Sequence, residues 1–420
     1  MRPGPHIAIW LIAATSIAGV IARPWKLPEA LWAVLGAGAL VAFSLISIGD
    51  AWLAIRKGTD VYLFLTGMMV LAELARQEGL FEWLAAVAVK RAEGSATALF
   101  ALVYLVGTLV TIFLSNDATA VVLTPAVFAA TQRAKAPPMP YLFICAFIAN
   151  AASFVLPISN PANLVVYGTR MPSLWAWLLQ FGVPSLVAIT VTYAVLRFTQ
   201  RAALKTAIAD DRSLPVLSRG GHFAAGGIAI TVVILLTASG LDRQLGLPTF
   251  LAGIGTAAAI FLLTRRSPRR LIQDISWSVL ALVAGLFVLV QGIEGTGALT
   301  PVARFLPATA QAHADMTAFA LGCVAAFLCN VMNNLPLGLI AGSLAASAHL
   351  ASLLKGALLV GVDLGPNLSV TGSLATILWL VALRREGLEV SAWKFLVLGS
   401  VVMPTALLAT LAALISLAPG

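Results

Sequence analysis

The feature that most limits this chain is a succession of long apolar stretches. They run near residues 6–22, 29–49, 60–78, 95–130, 140–168 and 174–198. They resume near 223–240, 247–264, 277–297, 315–349, 355–383 and 391–417. A helix needs about 20 mostly apolar residues to cross a bilayer. Membrane-barrel strands would instead alternate in polarity, and these stretches do not. Only 10% of the residues are charged, against roughly 25% in a soluble domain, so too few charges exist to cover a solvated surface. The sequence therefore reads as an all-α polytopic membrane protein of the inner (plasma) membrane, with the lipid bilayer as its solvent.

The first stretch is followed by Arg23-Pro24-Trp25-Lys26 and not by a small-residue cleavage site, so it reads as a spanning helix and not a signal peptide. In a soluble chain the net charge of +9 would point to nucleic acid. Here the basic residues sit in short loops, where the cytoplasmic Lys/Arg bias accounts for them, and no nucleic-acid partner is expected. Cys145, Cys323 and Cys329 all lie in apolar runs, without disulfide-framework or metal-finger spacing. They read as small buried apolar residues. With no HExxH motif, metal-ligand cluster or P-loop, no cofactor, no metal and no ATPase activity is expected. No nucleophile–base pair suggests an enzyme.

Six stretches, a polar interval and six more stretches suggest duplication. Residues 113–116, FLSN, match 327–330, FLCN, at an offset of 214. Gly67 and Gly79 match Gly285 and Gly297 at 218, Leu156–Ser159 match Leu368–Thr371 at 212, and Trp177 matches Trp393 at 216. Weak internal symmetry of this kind marks secondary transporters. The expected division is an N-terminal repeat (1–200), a cytoplasmic linker (201–221) and a C-terminal repeat (222–420).

Two stretches in each half are unusual. Residues 95–130 and 315–349 are too long for one span and carry polar centres, FLSNDATAVV and FLCNVMNNLP. Mid-membrane polar clusters are expensive unless they face a cavity, so each reads as a re-entrant hairpin with a polar tip. The stretch that follows each is broken: Pro157 and Pro161 bracket Ser159-Asn160 in the first, and GVDLGPNLSVTGSLATILWL interrupts the second. Proline removes a backbone donor, so each should split into half-helices. Five spanning helices, one re-entrant hairpin and one broken helix per half would give two inverted-topology repeats. On that topology nineteen Lys and Arg fall on one face and seven on the other. The richer face is the expected cytoplasmic one, with both termini outside.

The breaks of an inverted pair should meet near the bilayer midplane. They would contribute Ser115, Asn116, Thr119, Ser159, Asn160 and Asn163 from the first half. The second half would contribute Asn330, Asn333, Asn334, Asn367, Ser369, Thr371 and Ser373. This set of amides and hydroxyls suits a small, polar, hydroxylated or oxyanionic solute. Asp117 is the sharpest single residue, because burial penalises a carboxylate and prepares it to take and release a proton. It could also serve as a helix N-cap. Asp363, just before the second break, is the second candidate proton carrier. The amphipathic basic segment 81–94 reads as an interfacial arm.

The motifs FLSNDATAVVLTPAV, LPISNPANLVV, NNLP and GVDLGPNLSVTGSLATILWL resemble those of the arsenical pump membrane proteins. These are arsenite/antimonite efflux antiporters of the ion transporter superfamily. The resemblance covers nearly the whole chain. It implies two inverted repeats with hairpins, and export of arsenite and antimonite in exchange for protons. In some systems of that family the membrane subunit also docks a cytoplasmic arsenite-stimulated ATPase. Arsenite near neutral pH is As(OH)3, a neutral triol that needs hydrogen-bond donors and acceptors rather than a charge clamp. The nearest rival is a sodium/proton antiporter of the same fold, with Asp117 and backbone carbonyls around the cation. A passive channel is a third reading.

Overall fold

A computed structural model describes residues 3–168, 171–210, 213–241, 243–265 and 267–418. Arg2, Arg170, Arg212 and Arg266, four of the residues counted for orientation, lie outside the described residues. The first half contains α1 (Pro3–Ala22), α2 (Glu29–Ala42), α3 (Ile48–Lys57), α4 (Thr59–Gln77), α5 (Leu80–Ala92), α6 (Ala96–Phe113), α7 (Asn116–Ala118), α8 (Thr124–Arg133), α9 (Met139–Ala151), α10 (Pro161–Tyr167) and α11 (Leu174–Thr199). The second contains α12 (Arg219–Gly240), α13 (Gly246–Thr264), α14 (Arg269–Asp274), α15 (Ser278–Gly295), α16 (Thr300–Ala312), α17 (Ala314–Met332), α18 (Asn334–Ser347), α19 (Ser352–Leu364), α20 (Leu374–Arg385) and α21 (Ala392–Ser416). No strand occurs among the described residues.

Seven of these helices are long and apolar enough to cross a membrane, or eight if α3 and α4, bent by 47° to one another, form one span. Their starts follow from local chemistry. Ser47, Ser95, Ser173, Ser218 and Ser391 each accept a backbone N–H of the first turn. A bilayer offers no water to do this. The expected stretch 29–49 ends as a helix at Ala42, and amphipathic α3 follows as a separate element. The segment near 81–94 forms α5, buried on one side through Phe81, Ala85, Ala88 and Val89.

The helix pairings fall into matched sets. α4 packs on α13 as α2 packs on α15, and α5 on α6 as α16 on α17. α6 packs on α9 as α17 on α19, while α11 packs on α21. The half-helix α10 lies on α18, and the half-helix α20 lies on α7, α8 and the turn between them. At the two crossings, Gly67 of α4 meets the Thr249 carbonyl and Gly285 of α15 meets Ala33, with no room for a larger residue. Gly79 and Gly297 both take left-handed backbone, at φ 75° and 74°, which side chains other than glycine resist.

Two sequence matches do not carry over into the structure. Trp177 is fully buried and donates to the Phe154 carbonyl at 3.1 Å, whereas Trp393 is 72% exposed. The stretch 95–130 breaks at Leu114–Ser115, after the span-length helix α6, but Asn330 lies inside the span-length helix α17 and the break of 315–349 falls at Asn333. By helix position Asn116 corresponds to Asn334, since each is the first residue of the helix that follows its break.

After α11 the chain crosses the ends of the first-half helices. Ile208 N–H bonds the Gly94 carbonyl and Ala209 N–H bonds the Ala134 carbonyl at 2.7 Å.

Candidate functional site

Both expected breaks are present. α9 ends at Ala151, residues 152–160 are unwound apart from one 3-10 turn, and α10 begins at Pro161. α19 ends at Leu364 and, after the turn Gly365–Asn367, α20 begins at Leu374. Asn160 and Ser373 are the N-caps of the two returning half-helices, accepting from Ala162 N and Thr376 N.

The first hairpin tip is opened by Ser115, whose Oγ accepts from Ala118 N at 3.1 Å. Ser115, and not Asp117, is therefore the cap. Asn116 Oδ1 accepts from Asp117 N at 2.9 Å. Thr119 shares a hydrogen bond with Thr111 at 2.8 Å and opens a π-helical turn, Thr119–Leu123. Such turns mark strained or functional sites. Pro125 lies just beyond, in the first turn of α8, and has no N–H to continue a regular ladder. At the second tip Asn333 Oδ1 accepts from Leu335 N, and its amide donates to the Thr371 carbonyl at 3.3 Å.

The fold divides the predicted residues into committed and uncommitted groups. Asn163, fully buried, holds the first break by donating to the carbonyls of Ser153, Leu156 and Pro157. Ser159 donates to the Ile112 carbonyl, tying that break to the first hairpin. Asn330 donates to the Ala326 and Gly365 carbonyls and accepts from Ser369 at 2.7 Å, while Thr371 donates to its backbone carbonyl at 2.9 Å. Ser373 shares a bond with the Thr376 hydroxyl at 2.9 Å. Asn160 donates to Asp363 Oδ1 at 2.7 Å. By contrast, no side-chain bond engages the Asn116 amide nitrogen, the Asp117 carboxyl or the Asn334 amide among the described residues. Asp117 is half-buried; Asn116 and Asn334 are buried.

Asn334 N–H donates to the Gly372 carbonyl at 2.9 Å, Gly372 leads into α20, and α20 packs on α7. The halves are also joined deeper. Asn150 donates to Asn367 Oδ1 at 3.0 Å, and Asn367 donates to the Phe147 carbonyl at 3.1 Å. Trp379 donates to the Leu142 carbonyl at 3.0 Å. Sequence reasoning missed Asn150; a lone amide in FICAFIANAASF was the available signal.

Two larger clefts lie away from these groups. One of about 940 Å3 is lined by Arg56, Asp60, Val166, Gln291 and Lys355 among others; a second, of about 1120 Å3, is lined by α11 and the segment 348–354. No Lys, Arg or His occurs at either tip or break (113–124, 152–160, 329–337, 364–373).

A helical membrane bundle whose helices break at buried polar points has the architecture of a solute transporter. The chain belongs to the citrate transporter family (CitMHS), which it matches over residues 11–362. It is similar to the arsenical pump membrane protein of Yersinia enterocolitica, at 27% identity over 403 residues, or 91% of this chain and 92% of the relative. The protein of that name from Escherichia coli is 26% identical over 429 residues, 96% and 97% of the two chains. An uncharacterized transporter of Mycobacterium tuberculosis is 26% identical over 394 residues, 90% and 91%. These matches bear out the resemblance to arsenical pump membrane proteins read from the motifs. Among solved structures, the Alcanivorax borkumensis YdaH transporter shares the fold, with a TM-score of 0.58 at 17% identity, over 87% of this chain and 86% of that one.

Proposed function

We propose that this protein exports arsenite and antimonite from the cytoplasm in exchange for protons, by alternating access around the two hairpin tips. The observation that carries the reading is the pair Asn116 and Asn334. Each begins the second arm of its hairpin; the Asn116 amide nitrogen and the whole Asn334 amide have no side-chain bond among the described residues, while Ser115, Thr119 and Asn333 beside them are bonded. A neutral triol can donate to and accept from such amides, and free helix N–H groups add donors. Citrate, the solute in the family's description, would bring several negative charges to a site without Lys, Arg or His, and buried unpaired charge is costly. The names of the similar pumps point the same way.

Asp117 is assigned the exchanged proton. Its carboxyl is half-buried at the first tip and unbonded, so it can meet solvent and lose its proton as arsenite arrives. The remaining predicted residues (Ser115, Thr119, Ser159, Asn160, Asn163, Asn330, Asn333, Asn367, Ser369, Thr371 and Ser373) hold the tips and breaks in shape. Two inverted repeats, 1–200 and 222–420 with the linker 201–221 between them, are supported by the matched helix pairings.

Everted membrane vesicles convert export into accumulation. Arsenite uptake that collapses with an uncoupler is expected, and Asp117→Asn should retain only passive equilibration. Normal proton-driven uptake by Asp117→Asn would overturn the coupling assignment. Sodium-dependent proton movement with no arsenite uptake would give the fold to the cation-antiporter reading.

A further inference from the structure

The segment between α13 and α15 reads RRSPRR over residues 265–270, and no acidic residue occurs between Asp242 and Asp274. Other basic pairs come with acids: Lys90-Arg91 is followed by Glu93, and Arg384-Arg385 by Glu386. The general Lys/Arg bias of one membrane face does not account for a run this dense and uncompensated. The structure places it at the rim of the bundle. α13 is long and apolar enough to span a membrane, and Leu262 and Leu263 are exposed in its last turn. Arg265 then ends the helix in left-handed backbone, at φ 52°. α14 follows, anchored by Leu271 and Ile275, which are buried in a cluster with Val70 and Leu74 of α4 and Ile260 of α13. That anchoring leaves Arg269, Arg270 and Ile272 on the exposed side. Trp277 is exposed as well, and its indole N–H donates to the Ile272 carbonyl at 2.7 Å.

The nearest acid in the chain is already engaged, since Asp274 accepts from Arg76 at 2.8 Å. Arg265, Arg269 and Arg270 enter no ion pair among the described residues. Guanidinium groups stay charged and pair bidentately with phosphate oxygens. Exposed leucines on a spanning helix face lipid tails, and tryptophan favours the level where headgroups meet them. At that level the phosphate at hand is a lipid's. A basic segment beside a spanning helix gains roughly fivefold in affinity for an anionic lipid surface per Lys or Arg.

We propose that Arg265, Arg269 and Arg270 bind the headgroup of an anionic phospholipid whose acyl chains lie along Leu262 and Leu263 of α13. The site shares no group with Asn116, Asp117 or Asn334, so it stands or falls independently of the arsenite reading.

The test titrates the purified full-length protein in micelles, without arsenite, with phosphatidylglycerol or with phosphatidylcholine of the same acyl chains. Native mass spectrometry counts the lipid retained. The wild type should prefer phosphatidylglycerol by about tenfold or more at low salt, and the preference should shrink as salt is raised. The triple variant Arg265→Gln/Arg269→Gln/Arg270→Gln should lose it. Lys90→Gln/Arg91→Gln/Arg133→Gln removes the same charge from other exposed positions and should keep it. Should the first triple variant fail to accumulate, the comparison of the two lipids on the wild type decides. Equal retention of the two lipids by the wild type overturns the site, as does a preference that the first triple variant leaves intact or that both triple variants lose equally. Displacement of phosphatidylglycerol by an equal concentration of soluble glycerophosphate would show that the arginines read phosphate alone, and overturns the lipid assignment.

Discussion

The crossings of α4 on α13 and of α2 on α15 can be tested by adding one methyl group to each. At Gly67 a Cβ would lie 2.4 Å from the Thr249 carbonyl oxygen and 2.8 Å from Phe250 N; at Gly285 it would lie 2.7 Å from the Ala33 carbonyl carbon. Ordinary contact begins at 3.4 Å, so Gly67→Ala must part its helices by about 1 Å and Gly285→Ala by somewhat less. A gap of 0.5–1 Å forfeits roughly a quarter to a half of each dispersion contact across the interface. The higher helix propensity of alanine returns about 0.5–1 kcal/mol, and overpacking costs about 1–3 kcal/mol. The expected loss is about 2 kcal/mol for Gly67→Ala, roughly thirtyfold in the unfolding equilibrium, and less for Gly285→Ala. Gly255, also on α13, has nothing within 4 Å of its Cβ position. Gly255→Ala should therefore be neutral or slightly stabilising. Reversible unfolding by SDS in mixed micelles reads the difference. A Gly67→Ala protein as stable as Gly255→Ala would refute this close packing.

The hairpin tips give transport predictions. Asn116→Ala and Asn334→Ala should each raise half-saturating arsenite in everted vesicles by about tenfold, the loss of one buried hydrogen bond, with little change in melting temperature. Asn330→Ala should instead lower stability by about 2 kcal/mol, because it removes the side-chain bonds to the Ala326 and Gly365 carbonyls and from the Ser369 hydroxyl; a melting curve reads this directly. Trp379→Phe keeps the ring contacts with Phe143 and Phe395 but loses the bond to Leu142, for a cost of about 1 kcal/mol in the same assay. Arg76→Ala, at a partly exposed pairing with Glu73 and Asp274, should cost under about 1 kcal/mol.

Much of the fold was legible because a bilayer demands long apolar helices and tolerates few breaks. FLSNDATAVV and LPISNPANLVV therefore stood out as interruptions, and the structure opens at both. Residue identity revealed less about matching positions. FLSN and FLCN align as strings, yet the second helix continues through Asn330 and turns at Asn333. Asn333 takes the positive φ of 72° that ends it. The division of site residues into bonded and free could not be read from the sequence. It depends on partners such as Asp363 for Asn160 and Asn367 for Asn150, more than 200 residues away in the chain. Asn163, expected at the solute, braces a loop through its amide nitrogen, because an unwound segment in an apolar setting must have its carbonyls satisfied from within.

The packing of α20 on α7 and α8 has a consequence for synthesis. The arm that carries Asn116 and Asp117 is complete once Arg133 has been made, but the helix that covers it ends at Arg385. At roughly 5–20 residues per second, the ribosome needs on the order of tens of seconds to supply the missing partner. Throughout that interval a polar tip with a carboxylate has only half of its protein surroundings. A nascent chain released early would carry an uncovered acid in the membrane, so the insertion machinery must hold the first half until the second arrives.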